Sequence, residues 1–234
     1  MTMQIESNPS TDTALQTTPS RGRPRDPERM RKVIATASAQ FGTLGYERTS
    51  IDAISKLSGV SKVTIYKYFP SKKKLFEAYV SSRIDSLFED ESMQSHDPLT
   101  PHIVLRKIAT KLNELQHDEI AIGTYRSLIS MANSPDPELR ELCTIFFELG
   151  PTRVVSTVAA YLAAAHAAHS LCIEDVYRAA DEFLALFHGF QFIKILLGLD
   201  NSTLADNLAL IDRNVDIFMQ RYQVNRSLDE KKGI

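Results

Sequence analysis

Apolar residues return every three or four positions along most of the chain, and no stretch alternates long enough to argue for a sheet. The pattern therefore predicts an all-α protein. Val33, Ile34, Ala37 and Phe41 supply the buried face of a first helix. It is expected to begin after Asp26 with Pro27 at its first position and to end at Gly42 and Gly45. Ile51, Ile54 and Leu57 mark a short second helix opening at Thr49 or Ser50. Gly59 closes it, where a tight turn needs tolerance of positive φ. Ser61 caps a third helix with Ile65 and Phe69 turned inward, and small Ser55 lets the two helices cross closely. Pro70 stops the third helix, and Ser71 caps a fourth carrying Leu75, Phe76, Tyr79, Ile84 and Leu87. Further helices are expected over 101–116, 118–133, 136–149, 151–169, 174–199 and 203–224.

The polar stretches divide this pattern. Residues 1–25 are rich in Ser, Thr, Gln and Asn and finish in a basic arm, so they read as a disordered extension. The acidic and polar run from Glu89 to Asp97, with Pro98 and Pro101, marks a boundary. The expected units are 26–88, a three-helix domain with a helix–turn–helix, and 98–225, a second helical domain. Residues 226–234 are expected to form a disordered tail.

Charge changes the picture. The chain carries a net charge of only −2, but residues 20–88 hold 14 Lys/Arg against 6 Asp/Glu, a net of +8, whereas 89–234 have a net of −8. A basic front on an acidic body points to a nucleic-acid contact confined to one end. Cys143 and Cys172 fit neither a disulfide framework nor a zinc spacing. No apolar run is read as membrane-spanning, and the N-terminus lacks an apolar signal region, so the cytoplasm is the expected location and no membrane partner is expected.

The candidate DNA contacts follow from the helix–turn–helix. Lys62, Val63 and Thr64 sit early in the third helix, the end that meets base edges in the major groove. Tyr66, Lys67 and Tyr68 suit phosphate oxygens, and Ser50 and Ser61 lie at helix starts. Lys72, beside Ser71 at the start of the fourth helix, is expected to hold a phosphate. Arg21, Arg23 and Arg25 form an arm suited to a minor groove. In the second domain the polar residues set among apolar neighbours, Asn113, Arg126, His166, His188 and Gln191, together with Phe147, are the candidates for a ligand pocket. His166 and His169 share a helical face but have no nearby third metal ligand. No phosphate-cradling glycine loop, nucleophile elbow or di-iron motif is present in the sequence, so neither an enzyme nor a cofactor is expected. A recombinase-like enzyme with an accessory helix–turn–helix, or a DNA-binding structural protein, are the rival readings.

Phe41, Gly45, Thr49, Ile54, Gly59, Val60, Ser61, Thr64, Ile65, Tyr66, Tyr68, Phe69, Ser71, Lys72 and Leu75 together resemble the DNA-binding domain of the TetR/AcrR family of bacterial transcriptional regulators. Val63 departs from the glycine that many members carry. The run from Glu138 through Gly198 is similar to the ligand-binding domain of the AcrR/AefR-like branch. The resemblance implies a homodimer paired through its last two long helices. It also implies a double-stranded DNA operator, a repressor, and a pocket for a small, largely apolar effector. Phe183, Leu186, Phe187, Phe190 and Ile193 give the helix near 174–199 more apolar circumference than one chain's core covers.

Overall fold

The computed structural model describes residues 27–88 and 97–224. Eleven helices run through them: α1 Pro27–Arg48, α2 Ile51–Ser58, α3 Lys62–Tyr68, α4 Lys72–Phe88, α5 Pro101–His117, α6 Glu119–Met131, α7 Pro137–Leu149, α8 Pro151–Ala167, α9 Val176–Ala185, α10 Phe190–Leu197 and α11 Leu204–Tyr222. No strand occurs among the described residues; Leu171 and Gln223 make one isolated antiparallel bridge.

Local chemistry sets the first four helices. Ser50 accepts the amide of Ala53, Ser61 that of Thr64, and Ser71 that of Lys74, so each short helix has a side-chain cap. Gly59 adopts φ 69°, ψ 18° and donates its amide to Ser55, closing α2. Ser55 does more than allow a close crossing, because its hydroxyl donates to Val60 across the turn at 2.7 Å. The inward face of α2 is Ile51, Ile54 and Ser58 rather than one ending in Leu57, which is 59% exposed.

Gly42 does not end α1. It lies inside the helix, and the break comes at Gly45 (φ 80°, ψ 169°). Gly42 instead faces Gly123 of α6, and a Cβ on Gly123 would overlap the carbonyl oxygen of Gly42. Absence of side chains at both positions lets α1 and α6 approach backbone to backbone, and they form the most extensive helix pair in the described structure. One hydrophobic core accordingly joins Val33, Phe41, Ile54, Ile65, Leu75 and Phe76 to Leu128 and Met131 of α6 and Leu142 of α7. A second core gathers α4's distal end with α5, α8, α9 and α11 around Leu105, Leu162, Phe183 and Phe218.

Two expectations for the second half need correction. The helix expected over 174–199 is two, α9 and α10, separated where Gly189 takes an extended backbone (φ −74°, ψ −156°) and starts α10 without a side-chain cap. The stretch Pro137–Ala167 is apolar and long enough by composition to cross a membrane, contrary to the sequence reading. Gly150 (φ −104°, ψ −96°) breaks it before Pro151 into α7 and α8, and Val158, Leu162 and Ala165 of α8 are buried in the second core.

Candidate nucleic-acid interface and effector cavity

α3 turns Ile65 into the core and leaves its opposite side open. Val63 is 82% exposed, and Tyr66 and Lys67, three and four positions on, share that side. Thr64 and Tyr68 are half-buried. The Ser61 and Thr64 hydroxyls lie 2.9 Å apart, so the start of α3 carries a hydrogen-bonded pair rather than two free hydroxyls. Lys62 is ion-paired to Asp52 of α2 through largely exposed side chains, and that hydrogen bond holds its ammonium above the usual lysine range.

Lys72 is placed differently from the expectation. Its ammonium donates to the carbonyls of Tyr46 (2.9 Å), Thr49 (3.0 Å) and Glu47 (3.3 Å) and stands 4.3 Å from the centre of the Tyr46 ring. It therefore closes the turn between α1 and α2 instead of offering a free charge to a phosphate. Burial lowers its pKa, against the opposing pull of Glu47. Arg21, Arg23 and Arg25 lie outside the described residues.

A cavity of about 520 Å³ opens between α4, α5, α6, α7, α8 and α9. Val80, Ile84, Leu112, Leu115, Val154 and Leu184 form much of its wall, and Phe147 and His188 also line it. Asn113, Arg126, His166 and Gln191 are not in its lining. Arg126 donates to the carbonyls of Leu196 (2.7 Å) and Ile195 (3.2 Å), closing the end of α10. His166 Nδ1 accepts the Ile173 amide, Gln191 bonds to Asp200, and the Asn113 carbonyl faces His117 Nδ1 at 2.8 Å. The Arg126, His166 and Gln191 side chains serve the backbone and loop partners nearest them, which their sequence surroundings do not show.

The polar lining that sequence reasoning missed comes from Tyr79, Arg83, Gln116, Thr124, Tyr125 and Asp181. Thr124 donates to the Ile120 carbonyl at 2.9 Å, so the 2.7 Å contact with Tyr79 has the tyrosine donating and links α4 to α6. The Tyr125 ring packs edge-on against Phe146 and Phe192. Burial, with the neighbouring Tyr79, pushes its hydroxyl up to about 12, so it is a neutral phenol at physiological pH. His188 Nδ1 lies 2.9 Å from the Leu184 carbonyl. The periodicity of α6 could have signalled Tyr125, which lies one helical turn from Ala121 and Leu128; nothing local signals Arg83.

α6 has two working sides. Ala121, Thr124 and Tyr125 line the cavity, while Gly123 meets Gly42, and Ser127 Oγ accepts the Tyr46 amide at 3.4 Å. A displacement inside the cavity is therefore one helix diameter away from α1, which scaffolds α2 and α3.

A capped helix–turn–helix with an open second helix, joined to a cavity-bearing helical body, is the architecture of a DNA-binding transcriptional regulator. Residues 33–79 match the family described as bacterial regulatory proteins, tetR family. Residues 103–224 match the C-terminal domain of AefR-like transcriptional repressors. The chain belongs to the TetR family of transcriptional regulators. It is 34% identical over 104 residues to EthR of Mycolicibacterium smegmatis, a match covering 41% of this chain and 46% of that one. The chain spans about half the length of the curated relatives it matches. A crystal structure of a TetR-family regulator from Mesorhizobium loti shares the fold, with TM-score 0.73 and 23% identity over 86% of this chain and all of the other. The flavonoid-responsive regulator FrrA superposes with TM-score 0.64 and 28% identity over the same shares.

Proposed function

We propose that the chain is a ligand-responsive repressor that binds a palindromic operator as a homodimer and leaves it when a small, largely apolar effector enters the cavity. The observation carrying this reading is the double use of α6, one side lining the cavity and the other locked to α1 through Gly42 and Gly123. An effector shifts operator binding only by its differential affinity for two arrangements. A cavity whose wall is also the seat of α1 gives that difference a direct mechanical route. α4 contributes Tyr79, Val80, Arg83 and Ile84 to the cavity, and the Tyr79–Thr124 bond ties it to α6.

Ligand response is named in FrrA's description, and the cavity here supports extending it to this chain. Dimerisation is supported by α10, where Phe190, Ile193 and Leu197 fall on one helical face and all stand exposed, Phe190 at 86%. Val63, Tyr66 and Lys67 are the side chains best placed to read and grip DNA, with Lys62 joining once it exchanges Asp52 for the nucleic acid.

The test starts with a duplex selected from a randomised pool by the full chain. Compounds that raise the protein's melting temperature are then titrated into the complex and followed by anisotropy. Effectors should weaken operator binding by roughly 5- to 150-fold, and operator should weaken effector binding equally. Operator affinity unchanged by every stabilising compound overturns the reading.

A further inference from the structure

The charged end of the cavity restricts what can occupy it. Arg83 of α4 lines the cavity, and its Nη2 lies 2.6 Å from Asp118 Oδ1, the oxygen that also accepts the Ala121 amide at 2.8 Å and caps α6. Its Nε is buried and has no hydrogen-bond partner among the described residues. A buried N–H without an acceptor is costly, and a guanidinium is built to meet two acceptor oxygens at once. Asp118 is already divided between a helix cap and one guanidinium nitrogen, so it does not satisfy this group. Tyr125, also in the lining, contributes a neutral phenol. Arg83 and Tyr125 thus bring a guanidinium and a phenol to a wall otherwise dominated by Val, Leu, Ile and Phe. The other charged lining residue, Asp181 of α9, is exposed and repels an anion from that side, which orients an acidic head toward α4.

We infer that the effector is an amphipathic organic acid, with a carboxylate or comparable anionic oxygen group held by Arg83 and an aromatic or aliphatic body against the apolar wall. This rests on the reading of the cavity as the effector site. A small turn of the Arg83 side chain brings Nε to the ligand while Asp118 remains on the far nitrogen, so the ligand supplies the acceptor that Nε lacks among the described residues. Because Asp118 caps α6 and keeps its hold on Arg83, an acid bound at Nε is linked through that ion pair to the start of α6. Binding of the charged head is thereby coupled to the helix that seats α1.

The experiment uses two dyes of the same aromatic frame, 1-anilinonaphthalene-8-sulfonate and its uncharged counterpart N-phenyl-1-naphthylamine. Each is titrated by fluorescence against the full chain and two variants. Arg83→Gln should weaken the sulfonate dye by roughly tenfold or more, the range for a hydrogen bond to a charged group, and leave the neutral dye unchanged. Asp118→Asn keeps a competent helix cap but removes the competing charge, so it should tighten the sulfonate dye and leave the neutral one unchanged. Dye adsorbed on the outer surface depends on neither residue. Both dyes binding with no response to either variant overturns the acid-binding inference and leaves the cavity reading standing. Failure of both dyes to bind overturns the two together.

Discussion

Gly42 of α1 and Gly123 of α6 meet backbone on backbone with no side chain between them. A Cβ on Gly42 would lie 2.7 Å from the Ile120 Cα and 2.9 Å from its carbonyl oxygen, atoms that cannot rotate away. Gly42→Ala and Gly123→Ala should each force α1 from α6 and cost about 1–3 kcal/mol, the usual range for overpacking. Thermal melts check the loss. A melting temperature at or above wild type in both variants would show that the contact is loose.

Lys67 and Lys72 should now behave differently. Lys67→Ala removes an exposed charge from the open side of α3 and should lower the magnitude of the log–log salt slope of DNA binding by about 0.9. Lys72→Ala should leave that slope unchanged and destabilise the fold by about 1–3 kcal/mol, because it strips the carbonyls of Tyr46, Glu47 and Thr49 of a shared donor. Paired salt titrations and melts separate the two roles. A reduced slope for Lys72→Ala would return that residue to the DNA contact.

Asp52→Asn should increase DNA affinity. The carboxylate now holds Lys62 and would itself face the phosphates, so its removal frees a cation and deletes an anion on the same surface. Titration against the selected operator and a random duplex at several salt concentrations should show tighter binding to both. Weaker binding to both would mean that the ion pair positions Lys62 for its contact.

Phe190→Glu, alone or with Leu197→Glu, should dissociate the proposed dimer. Both side chains are exposed within one chain, so a charge there does not injure the monomer's core. Sedimentation at micromolar concentration should shift from dimer to monomer while circular dichroism stays constant. A persistent dimer would place the interface elsewhere.

The helix–turn–helix was legible because its determinants are local. Ser50, Ser61 and Ser71 cap amides three positions ahead, and Gly59 takes its positive φ within one turn. The cavity was not, since six helices supply its walls and only Phe147 and His188 were anticipated. The partners of Lys72 were hidden for the same reason. Its charge and its place at a helix start are visible in the sequence, but its carbonyl acceptors lie 23 to 26 residues away. Gly42 read as a helix terminator because a glycine's packing partner, here 81 positions distant, leaves no local mark. The break at Gly189 is the opposite case, a glycine overlooked inside a strongly apolar run.

The two-sided commitment of α6 sets where this protein can be retuned. A substitution at Thr124 or Tyr125 alters the cavity and the seat of α1 in one stroke, so sensitivity to a new compound and basal occupancy of the operator would change together. Thr152, Val155, Leu184 and Ala185 line the same cavity from α8 and α9, neither of which packs extensively on α1. A biosensor built from this chain should therefore be rewired from those two walls, with α6 left as inherited, so that chemical selectivity can be changed without resetting the leakiness of the switch.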